Sequence, residues 1–195
     1  MPNFFTGNRF LDTAEMSTNA WYIYAVLREK GWTLNAICGM LGNMETESTI
    51  NPGIWQNLTE APSNGFGLVQ WTPSTKYTSW CSERGLDPSH MDSALARIEY
   101  EMENGLQWIA TDAYPLSFSE FKVSTKPVSY LADAFLKNYE RPTDQSQPAR
   151  ATQAEAWFTL LSGGEAPPID QPEGNGKKPK SMGLLLLISA TRRRY

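Results

Sequence analysis

The stretch "AICGMLGNMETESTINPGIWQN", residues 36–57, joins an apolar helical run to an abrupt turn. Ile37, Met40, Leu41 and Met44 recur at the i, i+3, i+4 and i+7 positions of one face, so a helix is expected from about Thr33. Asn51-Pro52-Gly53 must then redirect the chain, because the proline ring fixes φ and glycine tolerates positive φ. Two carboxylates, Glu45 and Glu47, close the helix. At about 100° per residue, Glu47 lies about 70° from the centre of the apolar face and Glu45 about 90° away on the other side, so helix geometry barely separates them. The corner does, since Glu47 sits in the last turn beside the redirected chain. There the negative end of the helix dipole and partial burial both disfavour a charged carboxylate, which suits a general acid at neutral pH. A solvated helix-end residue is the plain alternative for either glutamate and fits Glu45 better.

Outward from this segment the chain is mostly helical in pattern. A first helix is expected from near Thr13, with Met16, Ala20, Ile23, Tyr24 and Leu27 in register, stopping at Gly31. Helices resume near Ser74, and Met91 to Trp108 carries Leu95, Ile98, Met102 and Leu106 at helical spacing. Two more follow, "KPVSYLADAFLKNYE" (126–140) and "QPARATQAEAWFTLLS" (147–162), each with proline near its start, where a missing N–H costs little. Between Ile54 and Pro73, Gly, Asn, Pro and aromatic residues replace helix signals, and a short hairpin is expected around "GFGLVQW" (65–71). The expected fold class is α+β, mostly α-helical with a small β-hairpin region. The expected domain plan is a body over residues 1–162, a Gly/Pro/charged linker over 163–181 and an apolar-basic tail over 182–195.

With 195 residues and 41% hydrophobic content, the chain can bury one sizeable core. Its net charge of −4 argues against a nucleic-acid partner, whose phosphates are bound by clustered Lys and Arg. The charge is uneven: the last 32 residues hold six of the 17 basic side chains and only three of the 21 acidic ones. "MGLLLLISA", residues 182–190, is far short of the ~20 apolar residues of a membrane-crossing helix, and no transmembrane segment is expected. The first residues lack the basic start and apolar run of a secretory signal. Two cysteines, Cys38 and Cys81, allow one disulfide but imply no framework, and burial as thiols is the favoured reading.

The single histidine, His90, lies in the polar "DPSHMDS" at a helix start and reads as a surface residue. Without a second His or a Cys pair at ligand spacing, no metal and no cofactor is expected, and His-dependent nucleophilic chemistry loses its base. Carboxylate chemistry remains, with Glu47 as its centre. In "SNGFGLVQWTP" (63–73), glycines permit close backbone approach, while Gln70 and Trp71 offer an amide and a flat apolar face suited to sugar. Trp55, Gln56, Asn57 and Tyr77 extend that strip, although tryptophan-rich strips serve cores more often than clefts. In "NYERP" (138–142), Tyr139 is a candidate to bridge substrate or the acid through its hydroxyl, and Glu140 and Arg141 read as a local ion pair, with Glu140 a further carboxylate candidate. Glu60, in "NLTEAPSN", is the first candidate for a second carboxylate and Glu140 the next.

Glu47-Ser48 followed by Ile50-Asn51-Pro52, with a Gly-x-Gly-Leu-x-Gln strip roughly 18 residues on, resembles the catalytic region of goose-type lysozymes and soluble lytic transglycosylases. "AICGMLGNMETESTINPGIWQN", "GFGLVQWTP" and "YERP", in that order, resemble more closely the phage tail lysozyme family, typified by tail-knob enzymes of short-tailed phages of Gram-positive bacteria. The likeness runs from about Ala14 to Leu161. It implies a lysozyme-like fold and cleavage of the β-1,4 bond between N-acetylmuramic acid and N-acetylglucosamine in peptidoglycan. By position it makes Glu47 the catalytic acid, puts Gly67, Leu68, Gln70 and Trp71 in the sugar-binding strip, and places Tyr139 on the far side of the cleft. It also implies a virion protein at the tail tip; by its apolar run bracketed by basic residues, the C-terminal tail reads as a contact to other tail proteins, a contact to an anionic envelope surface, or a poorly ordered terminus. Tail-knob relatives can carry a second, zinc-dependent peptidase domain, whose absence here leaves one activity or a piece of a longer protein as the alternatives. An endolysin and a non-catalytic wall-binding or structural module are the competing functions.

Overall fold

The computed structural model describes residues 3–164. The linker and tail expected beyond Gly164 lie outside the described residues. Among the described residues, seven α-helices follow in order: α1 (Thr13–Glu29), α2 (Leu34–Ser48), α3 (Thr75–Ser82), α4 (Met91–Glu103), α5 (Phe118–Lys122), α6 (Val128–Phe135) and α7 (Pro148–Gly163). Local chemistry sets many of their ends. Asp12 caps α1 by accepting from the Glu15 N–H while Glu15 returns a bond to the Asp12 N–H, and Thr33 caps α2 through the Ala36 N–H. Ser117 and Glu120 form the same reciprocal box at α5, a short helix that apolar periodicity alone does not announce.

Helix α2 is the centre of the body. From Ala36 to Met44 every residue is buried, not only the face carrying Ile37, Met40, Leu41 and Met44. A helix covered on all sides needs close neighbours, and two glycines admit them. A Cβ at Gly39 would stand 2.8 Å from the Leu131 Cβ of α6, and one at Gly42 would stand 2.3 Å from the Arg150 carbonyl of α7. Asn43, buried between those helices, donates to the carbonyls of Gly39 at 2.9 Å and Ala132 at 3.0 Å. Each fully buried Ile, Leu or Met on α2 contributes about 1.5–3 kcal/mol relative to exposure.

Two expectations change in detail. Helix α4 stops at Glu103 rather than near Trp108: Gly105 takes φ +61°, the Leu106 N–H bonds back to the Glu101 carbonyl, and Leu106 itself is 55% exposed. The helical spacing of Leu106 is therefore incidental. Around Phe66, the expected hairpin is reduced to isolated antiparallel bridges, Trp55 with Phe66 and Phe66 with Trp71. Positive φ at Gly67 and Gln70 turns the chain within four residues, and Pro73 brings no N–H to lengthen the pairing. Cys38 and Cys81 are buried free thiols, and burial pushes the Cys38 thiol up to about 12. Among the described residues, no helix is long and apolar enough to cross a membrane.

Candidate active site

The end of α2 is bent by backbone that most residues avoid. Thr49 and Ile50 both adopt the left-handed region, with φ of 52° and 54°. For a β-branched residue this conformation is strained, at a cost of order 1–3 kcal/mol, so neighbouring contacts must hold it. They are present. The Ser48 hydroxyl oxygen lies 2.8 Å from the Leu68 carbonyl and 2.9 Å from that of Met44. Asn51 Oδ1 accepts from the Gly53 N–H, its Nδ2 donates to the carbonyls of Gly7 and Arg9, and Asn19 Nδ2 donates to those of Phe5 and Ile50. An N-terminal strap is thereby tied over the corner, and Asn8 extends it to the Trp55 N–H and the Leu58 carbonyl.

This corner sets Glu47 in the wall of a cleft of about 600 Å³. The same cleft is lined by Trp55, Asn57, Gln70 and Trp71 from the aromatic strip and by Gln107, Tyr139, Glu140 and Arg141. Glu47 is 21% exposed, and its Oε1 accepts from Arg150 at 2.5 Å. Arg150 is itself 4% exposed at the side chain; its remaining N–H groups go to Gln147 at 2.8 Å and to Asn43 Oδ1 at 3.1 Å. Arg150 is absent from the sequence reading, yet it heads the buried stripe of α7, spaced four, seven and eleven residues before Ala154, Trp157 and Leu161. A basic residue at an apolar register position signals a buried partner.

Glu140 belongs to a helical turn of the wider π type, Leu136–Glu140, that continues α6 and ends where Arg141 takes φ 48°. Such turns recur at functional sites because they push side chains out of the regular helical register. Glu140 Oε1 is occluded and has no hydrogen-bond partner. Burial, and next the neighbouring charge of Glu47, hold the Glu140 carboxyl well above the ordinary carboxylate range, against the opposing effect of Arg150. The expected Glu140–Arg141 ion pair is not formed. Arg141 Nη1 instead donates to the carbonyls of Gln107 and Asn138.

Beneath the cleft lies a second buried carboxylate that sequence reasoning also missed. Glu101, 3% exposed, accepts from Trp71 Nε1 at 3.1 and 3.3 Å, from Arg97 Nε at 2.9 Å and from the Tyr139 hydroxyl. Its signal was a glutamate three residues after Ile98 and seven after Ala94, on the apolar face of α4. Tyr139 therefore commits its hydroxyl to Glu101, and burial followed by the Glu101 charge pushes its pKa far up. Trp71 lies 4.2 Å between ring centroids from Tyr77 and forms cleft floor and core at once.

The other sequence candidates separate by position. Glu47, Tyr139, Gln70, Trp71, Trp55 and Asn57 share the cleft. Gly67 and Leu68 are buried behind it and act through backbone, Gly67 with φ +81° and Leu68 as acceptor for Ser48. Glu60 is exposed and does not line the cleft; Glu140 does. Glu45 accepts from Trp157 Nε1 at 2.7 Å, turned toward α7. His90 caps α4, its Nδ1 accepting from the Asp92 N–H at 3.2 Å. Among the described residues, no group of three or more His, Cys, Asp or Glu gathers as a metal site.

Comparison with known proteins supplies an independent line. The profile described as phage tail lysozyme matches residues 18–161. Morphogenesis protein 1 of Bacillus phage B103 is 55% identical over 161 residues, which cover 82% of this chain and 44% of that protein. The chain thus spans less than half the length of this relative.

Proposed function

We propose that this chain, which belongs to the phage tail lysozyme family, is a glycosidase of bacterial peptidoglycan that cleaves the β-1,4 bond between N-acetylmuramic acid and N-acetylglucosamine. The observation that carries the reading is that Glu47 lines one cleft together with Trp55, Gln70 and Trp71. Sugar rings have apolar faces for aromatic contact and hydroxyl edges for amides, and this cleft supplies both. Glu47, protonated, delivers its proton to the glycosidic oxygen as the bond to the anomeric carbon breaks. The carboxylate left behind is met by the Arg150 guanidinium, already 2.5 Å away, so charge that develops on Glu47 during the reaction finds a fixed partner. The family supports a tail-associated, lysozyme-like role. In the proposed setting the protein acts at the tail tip and opens the wall locally for the passage of DNA, with residues 163–181 as a linker and 182–195 as a contact to other tail proteins.

Mass spectrometry of muropeptides released from Gram-positive sacculi by the parent and by Glu47→Gln tests this. Reducing muramic ends, produced by the parent and lost in the variant, are expected. Ends of the 1,6-anhydro type would replace hydrolysis by transglycosylation. No glycan cleavage by the parent on several wall types would overturn the enzymatic reading and leave a wall-binding module.

A further inference from the structure

We propose that Glu140 and Glu47 hold a single proton between them, and that Glu140 thereby keeps Glu47 able to deliver a proton to the glycosidic oxygen. The inference rests on the glycosidase reading of Glu47. Its ground is a mismatch of charges in the cleft wall. Two carboxylates, Glu47 from α2 and Glu140 after α6, line one cavity, and Arg150 from α7 is hydrogen-bonded to Glu47 alone of the two. Of the other cations nearby, Arg97 of α4 pairs with Glu101, Arg141 donates to the Gln107 and Asn138 carbonyls and opposes the protonation of Glu140 less than Arg150 does, and Lys76 lines the cavity without an ion-pair partner among the described residues. Glu101 adds a further buried negative charge beneath. Like charges held close in a partly buried site cannot both ionise without cost, and one of them keeps a proton.

The occluded Glu140 Oε1 shows where that proton rests before substrate binds. A buried oxygen without a partner is costly as part of a carboxylate and far less so as part of a neutral acid. Burial and the Glu47 charge favour the same protonated Glu140. The step is then balanced as follows. The proton passes from Glu140 to Glu47, and Glu47 gives it to the glycosidic oxygen, which takes the electron pair of the breaking bond. Both carboxylates are then ionised against the positive charge at the anomeric carbon. Water adds there and returns a proton to the pair. Without Glu140 the site loses the group that holds a proton beside Glu47. Glu140 is on this account a positioning residue for the proton, not a group that touches the sugar.

The test compares the parent with Glu140→Gln, a near-isosteric change, in kcat and KM across pH 4–8 on soluble glycan fragments. The expected result is a basic limb moved to lower pH, with kcat near pH 7 down by about tenfold or more, KM little changed and activity recovering in acid. An equal loss at every pH, or an unchanged profile, would overturn the proposal. A readout independent of activity is carboxyl-carbon NMR of 13C-labelled glutamate in the folded chain. One glutamate still protonated above about pH 6 in the parent, and none in Glu140→Gln, is expected. A parent with every glutamate ionised at that pH sinks the idea. A shared proton in a parent that cleaves no glycan would instead fault the glycosidase reading and leave the pair standing.

Discussion

Replacing Glu101 by glutamine tests whether the buried network under the cleft holds it in shape. The carboxylate accepts from Trp71, Tyr139 and Arg97, and it is the ion-pair partner of Arg97, whose side chain is 11% exposed. Glutamine can keep an oxygen toward Arg97 and Trp71 and turn its amide toward the Tyr139 oxygen, so geometry survives while charge does not. Stranding a buried cation typically costs about 3–5 kcal/mol. Arg97 retains the faces of Trp80 and Tyr100, each 5.5 Å from its guanidinium carbon, which places the expected loss near 3 kcal/mol. For a chain of this size that lowers Tm by roughly 6–12 °C. Tyr139→Phe keeps the ring, stacked 4.5 Å from Phe135, and removes one donor to a charged acceptor, an expected loss of about 1.5–2 kcal/mol. Because both variants act on one bond, their effects should fall short of additivity by about 1 kcal/mol in urea unfolding followed by tryptophan fluorescence. A Glu101→Gln loss under about 1 kcal/mol, or strict additivity, would refute the network as a structural unit.

Other outcomes follow from the same packing. Gly42→Ala places a methyl group 2.3 Å from the Arg150 carbonyl and 2.8 Å from the Ala154 Cβ, so α7 must shift; a loss of about 1–3 kcal/mol in thermal unfolding is expected, with reduced activity because α7 carries Arg150. Gly163→Ala, with nothing within 4 Å, serves as the control and should change stability by under about 0.5 kcal/mol. Glu140→Gln is expected to be more stable than the parent at neutral pH. The native parent holds the Glu140 proton that the unfolded chain releases near pH 4.3, so its stability falls as pH rises above that value and levels off only past the raised native pKa. Chemical denaturation at pH 4 and pH 7 checks the sign: equal differences between the two proteins at both pH values would show that Glu140 is not protonated in the fold.

The helices were legible wherever a local rule sufficed. Apolar spacing placed α1, α2, α6 and α7 within a few residues, and Thr33 marked the start of α2 because a cap needs only its own first turn. The same periodicity carried α4 too far, since it has no term for the Gly105 turn that ends the helix. It passed over α5, where a capping box and two phenylalanines do the work of a longer stripe. The hairpin expectation followed β-favouring residues whose pairing is interrupted by tight turns.

For the site, the sequence pointed to carboxylate chemistry as the kind to expect and to Glu47, at a forced corner, as its candidate centre. Tertiary structure decided which charges meet it. Arg150 lies 103 residues along the chain from Glu47, and Glu101 lies 30 from Trp71 and 38 from Tyr139. Spacing along one helix reports which face a residue occupies, so the registers of Arg150 and Glu101 carried a signal of burial that the sequence reading did not take up. It cannot report what the opposing face contributes, because that depends on how α2, α4, α6 and α7 close on one another. The grouping of Glu47 and Glu140 in one cleft with Arg150 beside Glu47 exists only after they have done so.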